Sequence, residues 1–316
     1  DVCEGKIIDA TDSIVCPTFL NGHTHIGDSI IKDEGYVLSL GEMVKPPNGV
    51  KHKALANAED GEIIDAMKKS MWDMFESGTT HFIDYREGGI KGVELLRKAS
   101  KNLPVTPVIL GRDDSFYGQN PDLRKVKIAI RKLLKLADGI ALSGFGEISD
   151  EVASLITSEC RKAGKISSIH VAESMHLQDD SLRDFNKTEI QRGVDADFDQ
   201  LVHCTNPRNN DLELIKNSNV VVCPRANATL NVGVAPLNEM FSKGIKPLLG
   251  SDNLMLNSPN LFRELEFSLK IMSVYYKNYL NPKDLLKTAT TNICNFEINR
   301  YIEKSVIDVN QEANLF

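Results

Sequence analysis

A chain of 316 residues, 41% hydrophobic and 26% charged, has the composition of a globular protein with room for one large domain or two ordinary ones. The net charge of −7 leaves no basic footprint, so nucleic acid is not an expected partner, and no apolar run approaches the ~18 residues of a membrane span. The six cysteines form no Cys-x-x-Cys pair and read as buried thiols of a reducing cytoplasm rather than as disulfides or a structural zinc site.

In chain order, short apolar runs alternate with amphipathic stretches. The first run spans 13–22 and closes on Gly22-His-Thr-His25; others follow at 80–85, 104–110, 139–145, 165–172, 200–204, 219–224 and 245–250. Periodicity predicts helices at about 60–77, 89–101, 121–137, 149–163, 180–192, 210–217, 236–243 and 260–279, with a last one near 282–293. Asp60 is placed to cap the first helix and Gly78 to stop it; Gly164 and Gly244 end two others just before the next strand. Ile63, Met67, Met71 and Met74 fall on one helical face. The strands are apolar along their whole length, the pattern of a parallel sheet buried on both faces.

Eight such repeats predict an α/β fold of the (β/α)8, or TIM-barrel, type over residues 11–300. A doubly wound open sheet would want a glycine-rich phosphate turn after its first strand, where this chain has Gly22-His-Thr-His25. Segments 5–10 and 313–316 read as strand fragments, so 1–10 and 301–316 are expected to form part of a small β domain built from both chain ends. The stretch from Ile31 to Ala58 is predicted to be a long loop that lids the site and supplies substrate contacts.

Barrel active sites lie where strands end and loops begin. His23 and His25, two apart on a strand, point to the same side and can share a cation; imidazole is the commonest protein ligand for zinc-like metals. The other strand ends carry Arg86 and Glu87, Arg112 and Asp113, His170 and Glu173, His203, Arg225 and Asn227, and Asp252. His52, His81 and His176 fall outside this pattern. Glu173, three residues past His170, would point the opposite way on a continuing strand. It is therefore placed beyond the strand, where the chain turns over the barrel mouth; a helical His-x-x-Glu is the competing arrangement.

Taken in order, Gly22-His-Thr-His25, His170-Val-Ala-Glu173, Val202-His-Cys204, Cys223-Pro-Arg-Ala-Asn227 and Gly250-Ser-Asp-Asn253, with the weaker Gly233-Val-Ala-Pro-Leu237, resemble the amidohydrolase superfamily, in its cytosine-deaminase-like and chlorohydrolase branch. The resemblance implies that His23, His25, His170 and Asp252 hold one divalent metal ion, that Glu173 shuttles protons, and that His203 contacts the reacting group or the water. It also implies a small β-sandwich from both chain ends and a homo-oligomer. Binuclear relatives carry a carboxylated lysine at the end of strand four. Here Gly139-Ile-Ala-Leu-Ser-Gly-Phe-Gly-Glu147 has none, so a single ion is expected. Arg225 also departs from the family pattern, where that place is often small or uncharged.

Such a donor set leaves room for a water whose pKa a metal lowers to about 7, a nucleophile for an sp² carbon bearing an amino group. Zinc is favoured, with iron(II) open, since imidazole suits both. The expected activity is a metal-dependent aminohydrolase that releases ammonia from a small nitrogen heterocycle: a purine, pyrimidine, pterin or nucleoside-like compound. Hydrolysis of another C–N or C–Cl bond at the same site is the alternative, and an inactive barrel scaffold the third reading. Arg86, Arg112, Arg225 and Asn227 are candidate substrate-binding residues; for the arginines, and for Glu147, a structural ion pair is the competing role.

Overall fold

The computed structural model describes residues 9–34, 36–44, 48–118, 120–277, 279–295, 307 and 314–316. Nine strands are described: β1 (Phe19–His25), β2 (Thr79–Arg86), β3 (Thr106–Gly111), β4 (Gly139–Leu142), β5 (Ile166–Val171), β6 (Gln200–His203), β7 (Asn219–Val222), β8 (Leu248–Leu249) and β9 (Asp252–Asn253). All pair in parallel, in the order β8-β7-β6-β5-β4-β3-β2-β1-β9. β8 pairs with β7, while β9, two residues further on, pairs with β1 through Thr24↔Asp252 and His25↔Asn253. They are two halves of one interrupted eighth strand, so the sheet closes on itself as an α/β barrel of the TIM type.

The closure is tight at the β1 seam. A Cβ on Gly22 would stand 3.0 Å from Leu248 Cβ, and one on Gly250 would stand 2.8 Å from His23 Cβ. Glycine at both places lets the backbones approach, which brings His23 beside Asp252.

The uninterrupted apolar strands follow from burial on two sides. Phe19, Phe82, Ile109, Ile140, Ile169 and Val220 pack outward against the helices. Leu20, Ile83, Tyr85, Val108, Val202, Val221 and Leu248 fill the barrel interior. The helix Asp60–Glu76 buries Met67, Met71 and Met74 completely. Its cap is a reciprocal box between Glu59 and Glu62, one residue before the expected Asp60. Gly78, Gly164 and Gly244 stop their helices with φ of 82°, 62° and 79°.

Three expectations change. The helix expected at 180–192 is two, Met175–Phe185 and Glu189–Asp195, separated at Asn186 with φ 54°. Ser174 and Thr188 cap one each, and a short polar side chain offering a cap is a local signal that periodicity does not weigh. The stretch from Ile31 to Ala58 is not structureless, since it contains the helices Leu40–Val44 and Val50–Asn57. The helix near 282–293 ends at Lys287 and gives way to a 3₁₀ turn at Thr291–Asn295. Of the proposed terminal β domain, 1–8 and most of 301–313 lie outside the described residues. Leu315 forms an antiparallel bridge with Pro17, and Cys16 donates to Phe316 O at 3.1 Å. Among the described residues no helix is long and apolar enough to cross a membrane.

Candidate active site

The carboxyl ends of β1, β5, β6 and β9 bring His23, His25, His170, His203 and Asp252 to one place. His23 and His25 share the inward face of β1, while Thr24 between them turns away to donate to Ile83 O at 3.1 Å and Asp84 Oδ1 at 2.9 Å. His23 Nε2 lies 3.1 Å from Asp252 Oδ1 and 3.3 Å from His170 Nε2; His25 Nε2 lies 3.6 Å from the same Asp252 oxygen. Donor atoms of His23, His170 and His203, of His23, His25 and Asp252, and of Glu173, His203 and Asp252 form three overlapping groups, each within 4.8 Å.

The hydrogen bonds around the rings decide which nitrogen faces the centre. His170 Nδ1 donates to Leu142 O at 2.7 Å and His25 Nδ1 to Glu87 Oε1 at 2.9 Å, so the Nε2 of each presents a lone pair inward. His203 is held the other way. Asn227 Nδ2 donates to its Nδ1 at 3.1 Å, leaving Nε2–H aimed toward Glu173, 3.9 Å away. In this arrangement His203 offers Nε2–H as a donor beside the centre.

Electrostatics agree with a cation site. Burial keeps His170 neutral well below the ordinary imidazole range, and burial with Lys51 nearby holds His25 down to about 3. Burial likewise lowers His23. Burial opposes ionisation of Asp252, but the His23 hydrogen bond and the neighbouring imidazoles outweigh it and hold the carboxyl below its usual range. Neutral, buried imidazoles converging with an ionised carboxylate fit a divalent ion with nitrogen and oxygen ligands.

Glu173 sits beyond β5 as expected. Ala172, with φ 53°, turns the chain over the mouth, and Asn206 Nδ2 holds the Glu173 carbonyl at 2.8 Å. Burial pushes the Glu173 carboxyl up, so it keeps its proton to higher pH than a free glutamate. His203, Cys204 and Asp252 also have positive φ, at 76°, 46° and 58°, a backbone form that non-glycine residues adopt at a cost. The strain gathers where the strands hand over to the site.

Above these residues lies a cavity of about 700 Å³. Tyr36, Val37, Leu38, Ser39, Leu40 and Gly41 line it from the segment after β1, and Arg112, Ser143, Glu147 and Leu230 from the other loops. A profile of the Amidohydrolase family matches residues 14–316. The chain belongs to the amidohydrolase family. It is 45% identical over 302 residues to a Methanothermobacter thermautotrophicus protein provisionally named an aminohydrolase, covering 95% of this chain and 79% of that one. It is 26% identical to a 5-methylthioadenosine/S-adenosylhomocysteine deaminase of Thermoanaerobacter pseudethanolicus, over 98% of this chain and 77% of that one. The fold is shared with a zinc-bound adenosine deaminase of Xanthomonas campestris, with TM-score 0.77 at 14% identity, over 95% and 71% of the two chains. This amidohydrolase is accordingly a hydrolase of carbon–nitrogen bonds, and a metal is its cofactor.

Two of the four residues expected to bind substrate do not reach the cavity of this amidohydrolase, and a third stands behind it. Arg86 is 3% exposed and spends its guanidinium on Glu87, at 3.2 Å, and on Asp84, at 3.8 Å. Arg225 bonds Ser258 O and the buried Glu264, both at 3.2 Å. Arg86 is thus paired with its sequence neighbours, the structural role the sequence left open for it, whereas Arg225 reaches a carboxyl on the helix Leu261–Tyr275, a partner that linear order does not reveal. Asn227 works behind His203 rather than on a ligand. Arg112 does line the cavity, while bonded to Tyr117, Ser143 and Glu87. Asp113 caps the turn at Asp114–Phe116.

Two lining residues, and one beneath the site, escaped the strand-end pattern. His176 stands at the cavity wall on the helix after Glu173, 3.2 Å from Asp180. Lys51 enters from the segment read as loop. Tyr85 packs its ring edge-on, 4.3 Å from that of His23, and its inward alternation with Ile83 on β2 was a usable signal. Lys51 stays charged against burial because Asp28 and Glu87 face it. Glu87, against burial, is held well below its usual range by Lys51 and His25.

Burial pushes Glu264 up to about 8 although Arg225 opposes it. The folded protein thus holds a proton that the unfolded chain releases near 4.5. The stability from this group is full below that pH and is lost as pH rises through about 8. The melting temperature should fall between pH 5 and pH 9, and less steeply in Glu264→Gln; equal slopes would mean that Glu264 is ionised throughout.

Proposed function

We propose that this protein is a zinc-dependent aminohydrolase that deaminates an aminopurine or related nitrogen heterocycle, of nucleoside size, to the corresponding oxo compound and ammonia. The observation that carries the reading is the convergence of His23, His25, His170 and Asp252 with Glu173 and His203 on the same mouth. The four would hold one ion, with zinc favoured by the imidazole-rich donor set and no lysine at the β4 end to support a second. When bound, the ion supplies the Lewis acidity that makes water a nucleophile at neutral pH.

The chain's own residues do the rest. Asp252, ionised, accepts a hydrogen bond from the attacking water and orients it. Glu173 gives a proton to the ring nitrogen as the C–O bond forms, and its raised pKa keeps that proton available. It then takes one proton from the attacking water and passes it to the amino group, and as the C–N bond breaks with neutral ammonia leaving, the remaining proton on the oxygen returns to Glu173, giving the C=O and restoring the acid. His203 donates from Nε2 to the oxygen that develops charge.

The cavity of about 700 Å³ supports a ring bearing a substituent rather than a bare base. The named relatives, which include a 5'-deoxyadenosine deaminase of Methanosarcina acetivorans, point the same way. Free, buried Cys160, Cys204 and Cys223 support a reducing, cytoplasmic setting. The test is an ammonia-release screen of the zinc-loaded protein over aminopurine nucleosides, free bases, pterins and chloro-heterocycles. Ammonia from a nucleoside-like compound is the expected result; chloride release alone, or no turnover on the panel, overturns the reading.

A further inference from the structure

The segment that roofs the cavity is joined to the candidate metal centre by a buried carboxylate. Glu87, just past β2, places Oε1 at 2.9 Å from His25 Nδ1, 2.8 Å from Lys51 Nζ and 3.3 Å from Arg112 Nη1. Its Oε2 lies 3.2 Å from Arg86 Nη2. Lys51 also reaches Asp28 Oδ2 at 3.0 Å.

Lys51 belongs to the helix Val50–Asn57, which continues the stretch whose Tyr36–Gly41 line the cavity. It is the one buried residue of that helix. The helix is therefore seated by this ion pair together with the half-buried Leu55 against the core, and eight residues are too few to hold a helix unaided in water. Glu87, in turn, keeps the proton of His25 on Nδ1 and its Nε2 toward Asp252. Without Lys51, Arg86 and Arg112 are close enough to draw the carboxylate aside and free the ring.

We propose that Lys51 and Glu87 are positioning residues that couple the seating of the helix Val50–Asn57 beside the cavity to the affinity of the His23, His25, His170 and Asp252 centre for a divalent ion. The proposal rests on the metal reading above. Coupling of this kind is reciprocal, so binding of the ion should also steady that helix. Carboxylates behind a ligating histidine are commonly worth 10–100-fold in metal affinity.

The test uses the full chain with Zn²⁺ alone as probe, and reads its affinity by competition with a chelator and hydrogen exchange over Val50–Asn57 with and without the ion. Lys51→Met leaves Asp28 unpaired in the interior, so Lys51→Met combined with Asp28→Asn, which removes both charges, guards against simple misfolding. The wild type should bind Zn²⁺ and slow exchange in that helix on binding. The double variant should bind about 10–100-fold more weakly and lose the exchange response. Lys51→Arg should recover most of both. A double variant with wild-type affinity and wild-type protection of the helix overturns the coupling while leaving the metal centre intact. A wild type that binds no Zn²⁺ overturns the metal reading itself, and the coupling with it.

Discussion

Glu173→Gln is expected to lower turnover by about 10²–10⁴, with zinc content unchanged and substrate affinity altered little. The substitution keeps the shape of the side chain and removes only its capacity to carry a proton. In the proposed reaction that capacity is used twice, at the ring nitrogen and at the departing amino group. Glu173 is poised for this by its place: burial raises its carboxyl, His203 Nε2 stands 3.9 Å off, and its backbone carbonyl is pinned by Asn206. It is not among the four residues proposed to hold the ion, so the metal should stay. Steady-state ammonia release and metal analysis of the same sample settle the matter; turnover within tenfold of the wild type would remove Glu173 from the proton path.

His170→Ala should abolish turnover by a different route, through loss of the ion. The His170 ring lies centrally, with centroids 4.9 Å from that of His23, 5.6 Å from that of His25 and 5.0 Å from that of His203. Its Nδ1–H is committed to Leu142 O, so no free rotation offers the centre a substitute. Since even a partner behind a ligand is worth about 10–100-fold in metal affinity, loss of a ligand should cost at least about that. Dialysed variant should hold well under one equivalent of zinc and release no ammonia, while its melting curve stays cooperative. Full occupancy after dialysis would show that the ion, if bound, sits elsewhere.

Much of the site was legible because a parallel barrel converts linear order into spatial order. Each strand delivers its last residues to the same rim, so His23, His25, His170, His203 and Asp252 could be gathered by asking only where apolar runs stop. Glu173 followed from the two-residue period of strands. The rim arginines were not legible in this way. Arg86 and Arg225 also stand at strand ends, yet Arg86 pairs with Glu87 and Asp84, and Arg225 hydrogen-bonds the Glu264 carboxyl. For Arg86 the competing acids are neighbours in sequence, Asp84 and Glu87; for Arg225 the partner is on the helix Leu261–Tyr275, and that pairing is a tertiary fact. The helix Val50–Asn57 was missed for a related reason: it is seated largely by Lys51, with Leu55 alone against the core, and an ion pair leaves no periodic trace.

By itself the sequence indicated the barrel and which polar side chains stand at its strand ends, since these depend on burial pattern and strand-end chemistry that repeat locally along the chain. Only the tertiary structure decided how those donors are aimed. The tautomers of His25, His170 and His203 are set by Glu87, Leu142 and Asn227, and the turns at Ala172, His203, Cys204 and Asp252 take a left-handed backbone that no local preference selects. Closure of the barrel at Gly22 and Gly250 imposes contacts between distant segments, and those contacts hold strained turns and buried polar groups that short stretches of chain would not adopt alone.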